Sequence, residues 1–287
     1  MLAKLDPEIT HDIAVQSGNP YMLSSVSRGL RRDLGVMKPP QAVVIEADKG
    51  VDEIRTMLRK LNEQYTIFSV HLKSEHVAGR WSRSWNERLL VVFGMCTPHL
   101  THLKLSGSGM EPFVGASLIE YLHQGHLVSL ELDRMPDRFY RRVLYEIGDG
   151  MSKCPSLRQF SITNSSLGAV KDLGLHRCKT LTHLTLHHDQ LSSVEFRDNR
   201  FSDDLIDLLS LPNLVELDLS SNHLERLFYD PSCWGPGSLS RMREAVEKSG
   251  LRRLDLRQNE SSITTPLAFQ TFGKLVDKGV EVLLDEA

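Results

Sequence analysis

Leu214-Val-Glu-Leu-Asp-Leu-Ser-Ser-Asn-His-Leu224 is the stretch that decides the fold. It reads L-x-x-L-x-L-x-x-N-x-L. Leu217-Asp-Leu219 alternates with period two, the pattern of a strand with one buried face. So short a strand cannot stand alone, and its leucines need neighbours on both sides. Asn222 suits the turn that follows, because its amide can pair with backbone groups where the chain leaves the strand.

The pattern recurs. Upstream are Leu100-Thr-His-Leu-Lys-Leu105, Leu127-Val-Ser-Leu-Glu-Leu132, Leu157-Arg-Gln-Phe-Ser-Ile162 and Leu181-Thr-His-Leu-Thr-Leu186; downstream is Leu251-Arg-Arg-Leu-Asp-Leu256. Their first leucines lie 27, 30, 24, 33 and 37 residues apart in chain order. Helix-like stretches at 111–124, 137–148, 202–209, 236–248 and 264–278 fill most of the intervals, and Val280-Glu-Val-Leu-Leu284 reads as a last, imperfect strand. Strand–helix alternation begins earlier. Ala42-Val-Val-Ile-Glu46 is a predicted strand, 51–64 an amphipathic helix with Ile54, Leu58 and Leu61 on one face, 65–72 a strand in which Phe68, Val70 and Leu72 alternate, and 82–96 a helix.

These motifs resemble those of leucine-rich-repeat proteins, over most of the chain from residue 42 onward. Helix-bearing units look most like the ribonuclease-inhibitor and F-box-associated subtypes. Cys96, Cys154 and Cys178 each precede a strand by a few residues, as cysteines often do there. The turn asparagine is present at Asn222 and Asn259 and replaced elsewhere, so an asparagine ladder is expected to be broken in the N-terminal half. The fold implied is α/β: a leucine-rich-repeat solenoid, or horseshoe, over 42–287, with a parallel concave sheet and helices on the convex side.

Residues 1–38 differ from the rest and form a separate, small α-helical segment. Asp6 and Pro7 suit a helix start, Gly18-Asn19-Pro20 a break, and Leu23, Val26, Leu30 and Leu34 the buried stripe of a second helix. The segment resembles an F-box. Leu5, Pro7, Glu8, Ile9 and Ile13 match the first part of that motif, and Pro20, Leu23 and Val26-Ser-Arg-Gly-Leu-Arg31 the second. The proline after Leu5 sits one place late, and the stretch between Pro20 and Val26 is short. The resemblance implies that Leu5, Pro7, Ile9, Ile13, Pro20, Leu23 and Val26 contact the Skp-type adaptor of a cullin–RING ubiquitin ligase. The competing reading is that the same residues cap the N-terminal end of the repeats.

If leucines at alternate positions face inward, the residues between them face outward onto a shared sheet surface. By register these are His102, Lys104 and Ser106; Ser129, Glu131 and Asp133; Gln159, Ser161 and Thr163; His183, Thr185 and His187; Glu216, Asp218 and Ser220; and Arg253, Asp255 and Arg257. As a set they are the candidate surface for a protein partner, because solenoids bind through extended concave faces. No aromatic occupies these positions, which argues against a large hot-spot cluster.

The chain has 287 residues, 40% hydrophobic and 25% charged, a net charge of −3 and a pI near 6.5. This balance provides a sizeable core and no general attraction to nucleic acid or anionic membrane. The first residues lack the apolar core of a signal peptide, and no apolar run approaches a membrane span, so an intracellular location, cytoplasmic or nuclear, is expected. The cysteines are then expected to be reduced.

Twelve histidines invite a metal site. His183 and His187 stand four strand steps apart, roughly 13 Å, too far to share one ion. Ser106-Gly-Ser-Gly109 matches neither a nucleophile elbow nor a phosphate-binding loop. No catalytic residue, metal or cofactor is assigned. The expected function is that of a protein–protein interaction module: the substrate-recognition subunit of a ubiquitin ligase or, with no ligase role, an inhibitor or bacterial effector that engages a protein.

Overall fold

The structure, a computed structural model, describes residues 38–74, 82–107, 114–134, 141–165, 173–187, 201–222, 238–259 and 266–284. The F-box-like positions Leu5, Pro7, Ile9, Ile13, Pro20, Leu23 and Val26 lie outside them.

The chain is α/β. Strand β1 (Pro40–Glu46) leads to helix α1 (Val51–Gln64), β2 (Thr66–Lys73) to α2 (Ser82–Cys96), β3 (His102–Ser106) to α3 (Val114–His123), and β4 (Ser129–Asp133) to α4 (Arg141–Ser152). Strand β5 (Gln159–Thr163) is followed by a 3-10 turn (Leu175–Arg177), β6 (His183–His187) by α5 (Phe201–Leu209), β7 (Glu216–Asp218) by α6 (Ser238–Lys248), and β8 (Arg253–Asp255) by α7 (Pro266–Asp277) and β9 (Glu281–Leu283). Among the described residues nine strands form one sheet in chain order, β1 to β9, and every pairing is parallel.

The repeated motif explains the register. Leu103, Leu130, Phe160, Leu184, Leu217, Leu254 and Val282 stand side by side across seven strands. Leu105, Leu132, Ile162 and Leu186 make a second row. Apart from Val282, which is partly buried, these side chains are buried in one hydrophobic core. Burying one such side chain is worth about 1.5–3 kcal/mol. A shift of one residue in any strand would send its whole inward set to water. The leucine before each strand, from Leu100 through Leu251, is also buried.

The two turn asparagines tie units together. Asn222 Nδ2 donates to Leu186 O of the preceding unit (2.6 Å) and to Leu219 O (2.9 Å). Asn259 Nδ2 donates to the same Leu219 O and to Leu256 O, both at 2.9 Å. Where the sequence has Ser165, the hydroxyl donates to Thr163 O, within its own strand exit (2.9 Å).

Two local expectations are corrected. The helix expected over 137–148 continues to Ser152 as α4 (Arg141–Ser152), so Gly148 and Gly150 lie inside it; 137–140 lie outside the described residues. Gly148 is no stop signal. A Cβ there would sit 1.6 Å from Leu173 O, so the missing side chain lets the shortest unit close onto α4. Among its described residues that unit, 24 residues from Leu157 to Leu181, carries the 3-10 turn Leu175–Arg177 ahead of β6. In β2, the pairing slips between Gln41 and Ala42, and Phe68 is the residue passed over. The bulge changes the alternation: Ile67, Val70 and Leu72 are buried, whereas Phe68 is only partly so.

Gly94 in α2 provides a contrast to Gly148, because nothing lies within 4 Å of its would-be Cβ. Gly148→Ala should lower unfolding free energy by at least about 2 kcal/mol through overpacking. Gly94→Ala should raise it by about 1 kcal/mol through helix propensity. Denaturant midpoints of the two variants check this pair. Equal shifts would contradict the close approach at Leu173.

Candidate functional site

Residues that alternate with the buried rows form the open face of the sheet. One row runs Ser69, His102, Ser129, Gln159, His183, Glu216, Arg253, Glu281. The next runs His71, Lys104, Glu131, Ser161, Thr185, Asp218, Asp255. A third comprises Lys73, Ser106, Asp133, Thr163 and His187. The predicted residues from β3 to β8 are thus brought into continuous rows. Gln159, Arg253 and Arg257 are exposed; His102, Lys104, Glu131, His183, His187, Glu216 and Asp218 are partly so.

Ser106, Asp133, Ser220 and Asp255 depart from the expected open arrangement, at 0%, 8%, 7% and 5% exposure. Asp133 Oδ1 accepts hydrogen bonds from Asn164 Nδ2 (2.8 Å) and Thr163 Oγ1 (3.1 Å), and Oδ2 accepts one from Arg134 Nε (3.2 Å). Asp255 Oδ1 accepts from the Arg257 backbone N–H (3.2 Å) and from Arg257 Nε (2.9 Å). Asp255 braces the turn at its strand exit in the manner of an Asx turn, whereas Asp133 ties its strand exit to that of β5 through Thr163 and Asn164. Burial alone pushes each carboxyl up, but these hydrogen bonds and the neighbouring arginine charge outweigh it and hold both below the ordinary value of 3.8.

Ion pairs cross the face between adjacent strands. Glu46 meets Lys73 at 3.0 Å, Lys104 meets Glu131, and Arg253 approaches Glu281 at 3.9 Å. His183 Nε2 lies 3.7 Å from Glu216. The Thr-His dipeptides at 101–102 and 182–183 repeat one arrangement, each Thr Oγ1 standing 2.8 Å from the Nδ1 of its own histidine. His71 and His102 have lowered pKa values, both chiefly through burial, His71 also through the Lys104 charge.

Sequence alternation missed one aromatic. Phe68, turned by the β2 bulge, meets the His102 ring edge-to-face with centroids 5.7 Å apart. The open side therefore has an aromatic residue near its N-terminal end. A phase change inside a single strand carries no composition signal, which is why the alternation could not reveal it.

Two serine–histidine contacts occur at this face. His71 Nε2 lies 2.5 Å from Ser106 Oγ, but Ser106 is fully buried. His187 Nδ1 lies 2.8 Å from Ser220 Oγ, and Ser220 Oγ lies 2.6 Å from Asp218 Oδ1. An ionised carboxylate only accepts, so Ser220 donates to Asp218 and accepts from His187 Nδ1–H. That polarity is the reverse of a histidine base taking a serine proton. Burial raises the thiols of Cys96 and Cys178 to about 12, so neither is an activated nucleophile. Among the described residues no group of three or more His, Cys, Asp or Glu is placed to hold a metal ion, and no helix is long and apolar enough to cross a membrane.

The central strands hold a shallow trough of about 390 Å³, floored by Ser161 and Thr185 and walled by Glu131, Glu216, Asp218 and Arg253. Its short floor residues and polar walls suit contact with a protruding segment better than enclosure of a small apolar ligand.

The depressed carboxyls make stability depend on pH. A folded pKa below the unfolded one gives stability that is complete above the ordinary value of 3.8 and is lost as pH falls through the lower folded value. Asp133→Asn combined with Asp255→Asn should flatten the loss of stability on acidification below pH about 4, measured by denaturant titration across pH. An unchanged slope would remove these two groups from the acid response. No protein-family model matches this chain, and no curated protein matches it.

Proposed function

We propose that the protein is a partner-binding protein of the leucine-rich-repeat type, a horseshoe whose open sheet face grips another protein. The observation that carries this reading is the polar face that runs across β3 to β8 in chain order, with short Ser161 and Thr185 at its centre and charged side chains around them. Extended faces of this kind recognise macromolecules. In this reading the protein is not an enzyme.

The N-terminal segment is proposed to dock on the Skp-type adaptor of a cullin–RING ubiquitin ligase, which makes the protein a substrate-recognition subunit. Its contribution is then positional, raising the effective concentration of a bound substrate beside a ubiquitin-conjugating enzyme. The competing reading, a cap, rests on Val44 of β1, which is 59% exposed at this end of the sheet, whereas the exposed residues of α1, among them Asp52, Arg55, Arg59 and Glu63, are polar or charged and call for no cover.

Affinity purification of the full chain, of a chain lacking residues 1–38, and of Ser161→Tyr combined with Thr185→Tyr separates the two contacts. The truncation should lose the adaptor and keep a second protein, while the double substitution should do the opposite. Loss of solubility on truncation, with no adaptor bound by the full chain, would favour the cap and a binding role without ligase function.

A further inference from the structure

The trough at the centre of the open face is electrostatically one-sided. Among the described residues that line it are four carboxylates, Glu131, Glu216, Asp218 and Asp255, and one guanidinium, Arg253. Two of the four already have cationic neighbours: Glu131 has Lys104, and Asp255 has Arg257. Arg253 leans toward Glu281, outside the trough. Asp218 accepts from the neutral Ser220 backbone N–H at 2.9 Å and hydroxyl at 2.6 Å, and Glu216 lies beside His183. Among the described residues neither Glu216 nor Asp218 forms an ion pair with a lysine or arginine.

The walls are also spaced. Glu131 stands on β4 and Asp218 on β7, in one row, with Ser161 and Thr185 between them. Three strand steps at about 4.8 Å put the two walls roughly 14 Å apart. In an extended peptide, residues four positions apart project to the same side and are separated by about 13 Å.

We infer that the trough receives an extended, basic segment of a protein partner, with one lysine or arginine seated at Glu216 and Asp218 and a second, four positions away, sharing Glu131 with Lys104. This rests on the open face being the partner surface and adds the chemistry of what it takes. The short floor side chains leave room for the backbone of such a segment. The carboxylates supply the attraction, and opposite charge across an interface sets specificity and association rate.

Selection of short random displayed peptides on the immobilised full chain tests this. Enriched peptides should be rich in lysine and arginine and should lose affinity as salt rises. They should bind about tenfold more weakly to the Glu216→Gln, Asp218→Asn double variant, as expected for two exposed charge pairs. Both replacements keep a side-chain oxygen and nearly the same shape, and thermal melts confirm that the variant folds. Peptides that lack basic residues, or that ignore this variant, but lose binding on Ser161→Tyr with Thr185→Tyr, overturn the basic-segment inference and leave the partner surface standing. Absence of any peptide sensitive to the tyrosine pair overturns the partner surface and the inference together.

Discussion

Parallel pairing of each strand with its chain neighbour, in the same phase, is the constraint on which the rest depends. No unit can enclose its own leucines. Leu184, for example, is buried between Phe160 on one side and Leu217 on the other. The inward rows and the outward rows are therefore two faces of one condition. Once Leu103 and Leu105 are fixed inward, His102 and Lys104 can only face the other way. The core defines the surface residue by residue.

That coupling explains what could be read from the sequence. The fixed spacing of L-x-x-L-x-L specifies phase, and phase specifies which residues share the open side, so the rows from His102 to Arg253 follow from the alternation alone. Two kinds of feature were not legible. Phe68 changes sides because of a bulge in β2, and a bulge depends on pairing with β1 rather than on local composition. Gly148 resembles a helix terminator, yet it marks where Leu173 O presses against α4, a contact between segments 25 residues apart. The near-complete burial of Asp133 and Asp255 belongs to the same class. An aspartate that follows an inward leucine looks outward by period, and only the turn donors around it show that it is enclosed.

The open face is not uniformly available. Much of its charge is already matched between adjacent strands, as at Glu46 and Lys73 or Lys104 and Glu131. Exposed pairs of this kind contribute little to stability, about 0–1 kcal/mol each. They do flatten the electrostatic potential, so the places where matching fails stand out. The N-terminal part offers a ring pair, Phe68 with His102, and the centre offers carboxylates above short floor residues. Different regions of one sheet thus present different chemistry, on a scaffold whose buried side barely varies.

The order of the strands has a consequence for how the chain is made. Each strand from β2 onward pairs with the strand immediately before it in the chain, so its first partner has already been made when it emerges. A ribosome releasing this polypeptide would present every new unit with a finished template, and sequence separations of a few tens of residues keep the loop-closure cost of each addition small. Assembly can then advance by accretion from the amino end, and the exposed growing edge at any moment is a single strand wide.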